Sequence, residues 1–381
     1  MANKAMPACR AKVWHIPGVG VLCLFLDTAA FFIAFVPIVS SAMIEQFIQK
    51  LVDRQDLTAE EAAQAMEELM SGKSTDAQNA GFLTALRMKG ETAVEIAAMA
   101  QVMRKHAAVI HPQVKGTLVD TCGTGGDRKG TINVSTIAMF VAAGAGIPIA
   151  KHGNRGVSSG CGSADVLEML GVKIDLPPEK VKACIEAVGV GFMFAPVFHS
   201  AMKNVMPARK QLGVRTIFNI LGPLTNPAEA QGQVIGVFDA SLTEKLANVL
   251  KILGLKHAFV VHGMEGLDEI SLSGETKVSE LRDGAIRNYV IKPEDVGFAR
   301  APLETIKGGL KEENARTLKA VLDGSELGPK RNIAVLNAAA AVVAGGRAGN
   351  LKEAVLLAEK SIDSGAASKK LEALVAYCRT A

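Results

Sequence analysis

Two loops rich in glycine and polar residues have the composition of anion-binding sites. The first follows a short apolar segment at 119–122 and reads Gly-Thr-Gly-Gly-Asp at 123–127, and residues 133–136, Asn-Val-Ser-Thr, open the next helix. Glycine permits positive φ angles, so several backbone N–H groups can converge on one anion, and the positive end of the following helix adds to the attraction. The spacing therefore predicts a phosphate-binding loop.

The second loop repeats this arrangement and adds positive charge. It follows apolar residues 147–150, reads Lys-His-Gly-Asn-Arg at 151–155, and continues through serines to Gly-Ser-Ala-Asp at 162–165. A single glycine-rich turn is often an ordinary strand-to-helix connection. Two such loops within about forty residues, one of them carrying a lysine and an arginine, indicate a shared site for a phosphorylated ligand.

The elements that must position these loops alternate along the chain. Apolar strand patterns at 117–121, 148–150, 191–194, 233–238 and 258–262 are separated by helical patterns that include 134–144, 178–188, 199–212 and 242–253. This alternation predicts an α/β fold with a mostly parallel central sheet flanked by helices, in which ligands bind at the carboxyl ends of the strands. Short strands and turns are expected at 275–300, and helices at 315–381, with 332–343 buried.

A small N-terminal helical domain precedes this α/β domain. Three capping boxes mark helix starts, pairing Thr58 with Glu61, Thr75 with Gln78 and Thr92 with Glu95. The apolar stripe of Ile44, Phe47, Ile48 and Leu51 has helical spacing and indicates a core face. We expect the helical domain at 43–113 and the larger domain at 114–381.

Residues 1–42 differ from the rest of the chain. The apolar run at 18–39 is long enough to span a bilayer, although it contains Asp27 and Pro37. Its basic upstream residues and the small residues at 40–42 also resemble a secretory signal. Three interpretations stay open, namely a segment upstream of a true start at Met43, a membrane anchor or targeting segment, and a packed extension.

Composition excludes several classes of function. The formal net charge is only +4 over 381 residues, which gives little support to nucleic-acid binding and suits an anionic small molecule equally well. Six cysteines are scattered without a CxxC pair or a zinc-ligand spacing. This pattern predicts a reducing compartment, which we take to be the cytoplasm, and no structural metal.

The chain resembles the anthranilate phosphoribosyltransferases. The motifs that carry this resemblance lie at 120–127, 133–136, 151–155, 162–165, 215–219 through 224–227, 262–263 and 268–269, and they occur in the family's order. The resemblance covers about residue 44 to the C-terminus and leaves out 1–42. It implies transfer of ribose phosphate from phosphoribosyl pyrophosphate to the amine of anthranilate, a step of tryptophan synthesis. It also implies a homodimer, a hinge that closes over the substrates, and helices near 195–224 that pack on the helical domain.

The resemblance assigns most of both loops to the phosphoribosyl donor. Breaking the bond to the leaving pyrophosphate requires its negative charge to be neutralised, which backbone N–H groups, a helix start and Lys151 could do. Asp127 could instead hold a ribose hydroxyl or order the loop. The implied donor-binding residues are Gly123, Gly126, Asp127, Thr131, Asn133, Val134, Ser135, Thr136, Lys151, His152, Gly153, Asn154, Arg155, Gly156, Val157, Ser158, Ser159 and Ser163.

Magnesium is expected to accompany the pyrophosphate, because Mg²⁺ prefers oxygen ligands and retains several waters. The neighbouring acids Asp268 and Glu269 follow the strand at 258–262, and the resemblance adds the Ser135 hydroxyl as a third ligand. Two adjacent acids in a loop are usually a solvated pair. Their place after a strand and their match to the family favour a metal site.

Anthranilate brings a carboxylate and a flat ring to the second half of the site. Arg209, in the helical pattern at 199–212, is the implied carboxylate partner, because a guanidinium can donate two parallel hydrogen bonds to a carboxylate. Asn154 and Gly123 are the other implied contacts, and His152 either lines this pocket or packs behind it. With Lys151 and Asp127, Arg209 completes the predicted catalytic set. No paired general acid and base stands out, and an aromatic amine is already unprotonated near neutral pH.

Two rival functions share parts of this pattern. A pyrimidine nucleoside phosphorylase has the same domain architecture, but its first loop resembles Ser-Thr-Gly-Gly-Val-Gly-Asp-Lys rather than the Gly-Thr-Gly-Gly-Asp found here. A non-catalytic relative that binds nucleic acid would be expected to lose the acceptor contacts, yet both Asn154 and Arg209 are present.

Overall fold

A computed structural model describes residues 43–156 and 160–381 together with three short N-terminal strands. These strands, β1 (Lys12–His15), β2 (Leu22–Phe25) and β3 (Phe32–Ala34), pair antiparallel in a small sheet of their own. The rest of 1–42 lies outside the described residues. All three interpretations of that segment therefore stay open. None of the helices in the described ranges has the length and hydropathy needed to cross a membrane.

Four helices form the N-terminal bundle: α1 (Met43–Val52), α2 (Ala59–Ser71), α3 (Asp76–Lys89) and α4 (Ala93–Lys105). All three predicted capping boxes are present at the starts of α2, α3 and α4, where each threonine hydroxyl accepts from the N–H three residues on. Ile44, Phe47 and Leu51 are buried in the bundle core, and Ile48 packs against it. The predicted core face of α1 is therefore confirmed.

The central sheet has seven strands in the order β10-β9-β8-β7-β4-β5-β6. The five strands predicted from the sequence are mutually parallel, namely β4 (Val119–Gly123), β5 (Ile149–Gly153), β6 (Val190–Phe194), β7 (Gly232–Gly236) and β8 (His257–Gly263). β9 (Thr276–Arg282) and β10 (Ala285–Ile291) extend one edge in antiparallel pairing. This confirms the mostly parallel sheet and the short strands expected at 275–300.

Helices cover both faces of the sheet. The helices that follow the bundle are α5 (Val134–Gly144), α6 (Ser163–Met169), α7 (Pro178–Val188), α8 (Ala195–Phe198), α9 (Met206–Leu212), α10 (Phe218–Leu224), α11 (Leu242–Ile252), α12 (Lys311–Leu322), α13 (Pro329–Ala344), α14 (Leu351–Asp363) and α15 (Ala366–Thr380), with 3-10 turns at Ser200–Asn204, Pro293–Val296 and Leu303–Ile306. Side chains alternate between faces along a strand, so Phe259 and Val261 of β8 join the core formed by α5 and α13, whereas Val260 joins the core shared with α11 and the bundle.

The single helix predicted at 199–212 was wrong. The structure has a 3-10 turn at Ser200–Asn204, a break at Val205, and then α9 with Pro207 in its first turn. Proline lacks an N–H and its ring clashes with the preceding turn, so it favours the first turn of a helix and disfavours a helix that continues through it from further upstream. The prediction missed this boundary because the apolar pattern continues across it.

The segment from 200 to 224 packs on the bundle. Val205, Phe218 and Leu221 belong to the bundle's apolar core, and the Asn204 side chain donates to the Met70 carbonyl at 2.7 Å. The domain limits at 113 and 114 stay a prediction, and these contacts place 200–224 beside the bundle although it follows β6 in the chain.

Candidate active site

The first loop (residues 123–133) begins at the carboxyl end of β4 and ends at the N-terminus of α5. Gly125 and Gly126 have φ angles of 65° and 81°, a region that favours glycine. The Thr124 N–H donates to the Gly236 carbonyl at 2.8 Å, which ties the loop to β7. Asp127 Oδ1 accepts from the Lys129 N–H at 3.1 Å, whereas the buried Asp127 Oδ2 has no partner among the described residues.

The start of α5 is fixed by contacts on both sides. The Asn133 amide donates to the Cys161 carbonyl at 3.0 Å and accepts from Asn314 at 3.1 Å, so its side chain holds the two loops together. Val134 and Thr136 are buried, and Thr131 forms a bridge with Lys307. The first turn of α5 thus presents its backbone at the site, while the Asn133 side chain fixes the position of that turn against the second loop and α12.

Lys151 lies in β5, because the strand continues to Gly153 beyond its predicted end at 150. Only 2% of its surface is exposed, and its ammonium donates to the Thr121 carbonyl and, at 3.2 Å, to the Ser135 hydroxyl. Burial lowers the pKa of Lys151, an effect opposed by the nearby carboxylates of Asp120 and Glu269. Lys151 therefore connects β5, which leads into the second loop, to β4 and the first turn of α5, which flank the first loop.

The residues after β5 contact α6. The Arg155 N–H donates to Asn154 Oδ1 at 2.8 Å, and the Arg155 guanidinium pairs with Asp165 at 3.0 Å and Glu168 at 2.8 Å. The N–H of Gly156 also donates to Asp165 at 2.9 Å, and the Ser163 hydroxyl donates to the Asn154 carbonyl at 3.3 Å. Two carboxylates already compensate the charge of Arg155. Val157, Ser158 and Ser159 lie outside the described residues.

The acid loop (residues 264–275) brings two carboxylates to the first loop. Glu269 Oε1 accepts from the Ser135 N–H at 3.2 Å, and a Cβ atom on Gly123 would lie 3.1 Å from Asp268 Oδ2. Burial and the neighbouring Asp127 raise the pKa of Asp268 to about 7, and burial and Asp268 raise the pKa of Glu269 well above its usual value. These carboxylates repel one another.

This donor set fits a magnesium ion. Clustered carboxylate oxygens, the Ser135 hydroxyl and the unpartnered Asp127 Oδ2 are hard oxygen ligands, and a divalent cation would relieve their repulsion. Within the described ranges no three His, Cys, Asp or Glu side chains form a metal cage. Such a partial set suits Mg²⁺, which keeps waters and uses substrate phosphate oxygens as further ligands.

Arg209 lies on α9 in a largely apolar setting. Its guanidinium stacks over the Phe218 ring, 5.0 Å from the centroid, and contacts Met206 Sδ at 3.7 Å. Burial lowers its pKa, and no carboxylate of the described chain lies within ion-pair distance. Arg209 is thus available to an external carboxylate. No hydrogen bond between described residues joins it to Asn154 or Gly123.

Two neutral histidines lie beside the second loop. The His152 and His199 rings are 5.0 Å apart, and His152 Nδ1 contacts the Gly222 carbonyl at 3.1 Å. Burial lowers the pKa of His152 to about 3 and that of His199 to about 4. Sequence reasoning missed His199, although a histidine at the start of the segment that carries Arg209 was a possible signal. Arg215 belongs to the motif at 215–219, but no role was predicted for it; in the structure it contacts the first loop.

The fold and the site together indicate a class of protein. A helical bundle is followed by an α/β domain that carries two glycine-rich loops and paired acids at the carboxyl ends of parallel strands. Models of the glycosyl transferase family match the same two parts, the helical bundle domain at 45–107 and the a/b domain at 115–368.

Relatives narrow the class. Anthranilate phosphoribosyltransferase of Symbiobacterium thermophilum is 55% identical over 86% of this chain and 96% of its own length, and that of Methanocorpusculum labreanum is 54% identical over 87% and 97%. The crystal structure of the Thermus thermophilus enzyme superposes with a TM-score of 0.83 at 47% identity, covering 87% of this chain and 99% of that one. The chain belongs to the anthranilate phosphoribosyltransferase family.

A more distant structure carries ligand information. The Saccharomyces cerevisiae enzyme in complex with phosphoribosyl pyrophosphate and Mg has a TM-score of 0.83 at 29% identity, over 90% of this chain and 99% of that one. A further structure of the yeast enzyme holds 4-fluoroanthranilate. The family resemblance and the fold class expected from the sequence are confirmed.

Proposed function

We propose that the protein transfers the 5-phosphoribosyl group from phosphoribosyl pyrophosphate to the amine of anthranilate. The products are N-(5-phosphoribosyl)anthranilate and pyrophosphate, and the reaction is the second step of tryptophan synthesis from chorismate. The observation that carries this proposal is the convergence of the first loop, Ser135, Lys151 and the acid pair at the ends of parallel strands.

The first loop receives the diphosphate. The N–H groups of 123–127 and the first turn of α5 attract the negative charge that develops on the leaving group. Lys151 holds the Ser135 hydroxyl in place by a hydrogen bond. It also adds positive charge to a site that contains the carboxyl groups of Asp127, Asp268 and Glu269. Asp127 orders the loop through the Lys129 N–H, and its second carboxylate oxygen has no hydrogen-bond partner among the described residues.

Ser135, Asp268 and Glu269 would hold Mg²⁺, which neutralises charge on the diphosphate when bound. The other implied residues of the second loop bind the ribose and its phosphate through backbone N–H groups and hydroxyls. They are His152, Gly153, Asn154, Arg155, Gly156, Val157, Ser158, Ser159 and Ser163.

Arg209 receives the anthranilate carboxylate, and Gly123 and Asn154 complete the acceptor site. The apolar cover over the guanidinium strengthens a charge-assisted hydrogen bond. Burial keeps His152 and His199 neutral, and the aromatic amine of anthranilate is itself unprotonated near neutral pH, so the nucleophile needs no base before it attacks. Orientation of the two substrates and charge stabilisation then supply most of the rate.

The assembly belongs to the same proposal. We infer a cytoplasmic homodimer with no nucleic-acid partner, in which the bundle moves toward the α/β domain around the substrates.

The test is a fluorescence assay in which the purified protein consumes anthranilate in the presence of phosphoribosyl pyrophosphate and Mg²⁺. Loss of fluorescence should require all three components, and chromatography should show the phosphoribosylated product. Salt-sensitive nucleic-acid binding without anthranilate consumption, or phosphorolysis of uridine or thymidine, would replace the proposal with one of the rivals.

A further inference from the structure

Arg215 links the bundle side of the molecule to the first loop. It lies between α9 and α10, two helices that contact the bundle. Its guanidinium reaches across and donates from Nη2 to the carbonyl of Gly126. A side chain held from the bundle side therefore contacts the middle of the phosphate-binding loop.

The surroundings of Arg215 are built for this contact. Gly126 has a φ of 81°, and a Cβ atom there would lie only 2.6 Å from Arg215 Nη2. The guanidinium also stacks over the Phe238 ring, 4.0 Å from the centroid, and the Phe238 N–H donates to Thr124 Oγ1 at 3.2 Å. The loop and Phe238 thus enclose the guanidinium.

The charge of Arg215 has no counterpart in the described chain. No described carboxylate lies within ion-pair distance, in contrast to Arg155, which pairs with Asp165 and Glu168. A guanidinium has five N–H donors, and the contact with Gly126 uses one of them. The positive charge and the unused donors lie beside a loop that binds an anion.

We propose that Arg215 is a positioning residue for the diphosphate: it fixes the Gly126 carbonyl so that the neighbouring N–H groups keep their anion-binding arrangement, and its charge adds to the attraction. The inference rests on the proposed function for the identity of the anion.

The experiment measures binding of inorganic pyrophosphate with Mg²⁺ by isothermal titration calorimetry, without anthranilate, and then steady-state kinetics. Arg215→Met is the main variant, because methionine still packs on Phe238 while it removes the charge and the hydrogen bond. Arg215→Lys keeps the charge without the planar fork. Arg287→Ala, at an exposed position on β10, is the matched control.

We expect Arg215→Met to weaken pyrophosphate binding by about tenfold or more and to raise the Michaelis constant for the phosphoribosyl donor in parallel. Arg215→Lys should lose less. The Michaelis constant for anthranilate and the thermal midpoint should stay close to those of the wild type, which separates positioning from a general loss of structure.

Pyrophosphate affinity within twofold of the wild type in folded Arg215→Met would overturn the inference, as would an equal loss in Arg287→Ala. If Arg215→Met does not fold, wild-type affinity in Arg215→Lys together with a wild-type donor Michaelis constant would overturn it. Wild-type protein that binds pyrophosphate but does not consume anthranilate would contradict the proposed function alone.

Discussion

The backbone of Asp268 passes directly against Gly236, so that a Cβ atom at position 236 would lie 1.6 Å from the Asp268 carbonyl oxygen. Gly236 ends β7, and its own carbonyl accepts from the Thr124 N–H of the first loop at 2.8 Å. One glycine therefore allows the acid loop and the first loop to meet at the same strand end.

Replacing Gly236 with alanine should displace Asp268 and Glu269, because a backbone oxygen cannot yield as a flexible side chain can. We expect activity to fall by about 100-fold and the free energy of unfolding to fall by about 1–3 kcal/mol. Kinetics and urea unfolding measure both. Gly81→Ala, within α3, is the control, since its Cβ would make an ordinary 3.7 Å contact with the Ile48 side chain of α1. Wild-type activity in Gly236→Ala would mean that the acids are not needed where they lie.

Lys151→Ala should damage both stability and donor use. It leaves the buried carboxyl of Asp120 without its cationic neighbour and frees the Ser135 hydroxyl. Leaving the buried Thr121 carbonyl and the Ser135 hydroxyl without their donor typically costs about 1–3 kcal/mol. Urea unfolding and the Michaelis constant for the donor should both respond. A variant as stable as the wild type would show that the charge of Lys151 is not needed for folding.

Asp268→Asn should lower activity without lowering stability. An amide removes one of three mutually repelling carboxyl groups, so we expect unfolding without Mg²⁺ to be unchanged or slightly harder. Donor use should fall by about tenfold or more, and a higher Mg²⁺ concentration should be required. Titrating Mg²⁺ in the kinetic assay tests this. Unaltered Mg²⁺ dependence would remove Asp268 from the proposed ligands.

Arg209→Ala should mainly weaken the use of anthranilate. Loss of a charge-assisted hydrogen bond costs about 1.5–3 kcal/mol, which corresponds to an increase of about 10- to 150-fold in the anthranilate Michaelis constant. The constant for the phosphoribosyl donor should change little. The neighbouring exposed residue gives a control in Lys210→Ala. Equal effects of Arg209→Ala on both Michaelis constants would contradict the assignment.

Acid should destabilise the fold through His152 and His199. Their pKa values in the folded protein, about 3 and about 4, lie below the value of about 6.5 expected when unfolded. As pH falls below about 6.5 the unfolded chain binds protons that the folded chain does not, so stability is lost down to about pH 4 through His199 and down to about pH 3 through His152.

By pH 5 each histidine should account for about 2 kcal/mol of lost stability. Urea unfolding at pH 7.5 and pH 5 measures the difference, which should shrink in His199→Gln. His111→Gln, at an exposed position, should keep the wild-type difference. An identical pH-dependent loss in wild type and His199→Gln would contradict the burial of a neutral imidazole.

Local sequence patterns were enough to predict much of the fold. The bounds of α5 and α7, the three capping boxes and the five parallel strands follow from periodicity and from hydrogen bonds between residues three or four apart. The break at Val205 was missed, since an apolar pattern carries no information on where a backbone can continue past Pro207. The candidate residues came from spaced motifs, and their roles stay predictions.

Motifs of neighbouring residues were enough to predict which residues bind a phosphorylated sugar and which strands carry them, because glycine conformations, helix starts and apolar alternation are local properties of the chain. Three contacts could be seen only in the folded protein. Lys151 donates to the Ser135 hydroxyl, the Asp268 backbone packs against Gly236, and Arg215 donates to the Gly126 carbonyl. These contacts join residues far apart in the chain. They depend on how strands and helices pack, which only the folded chain defines.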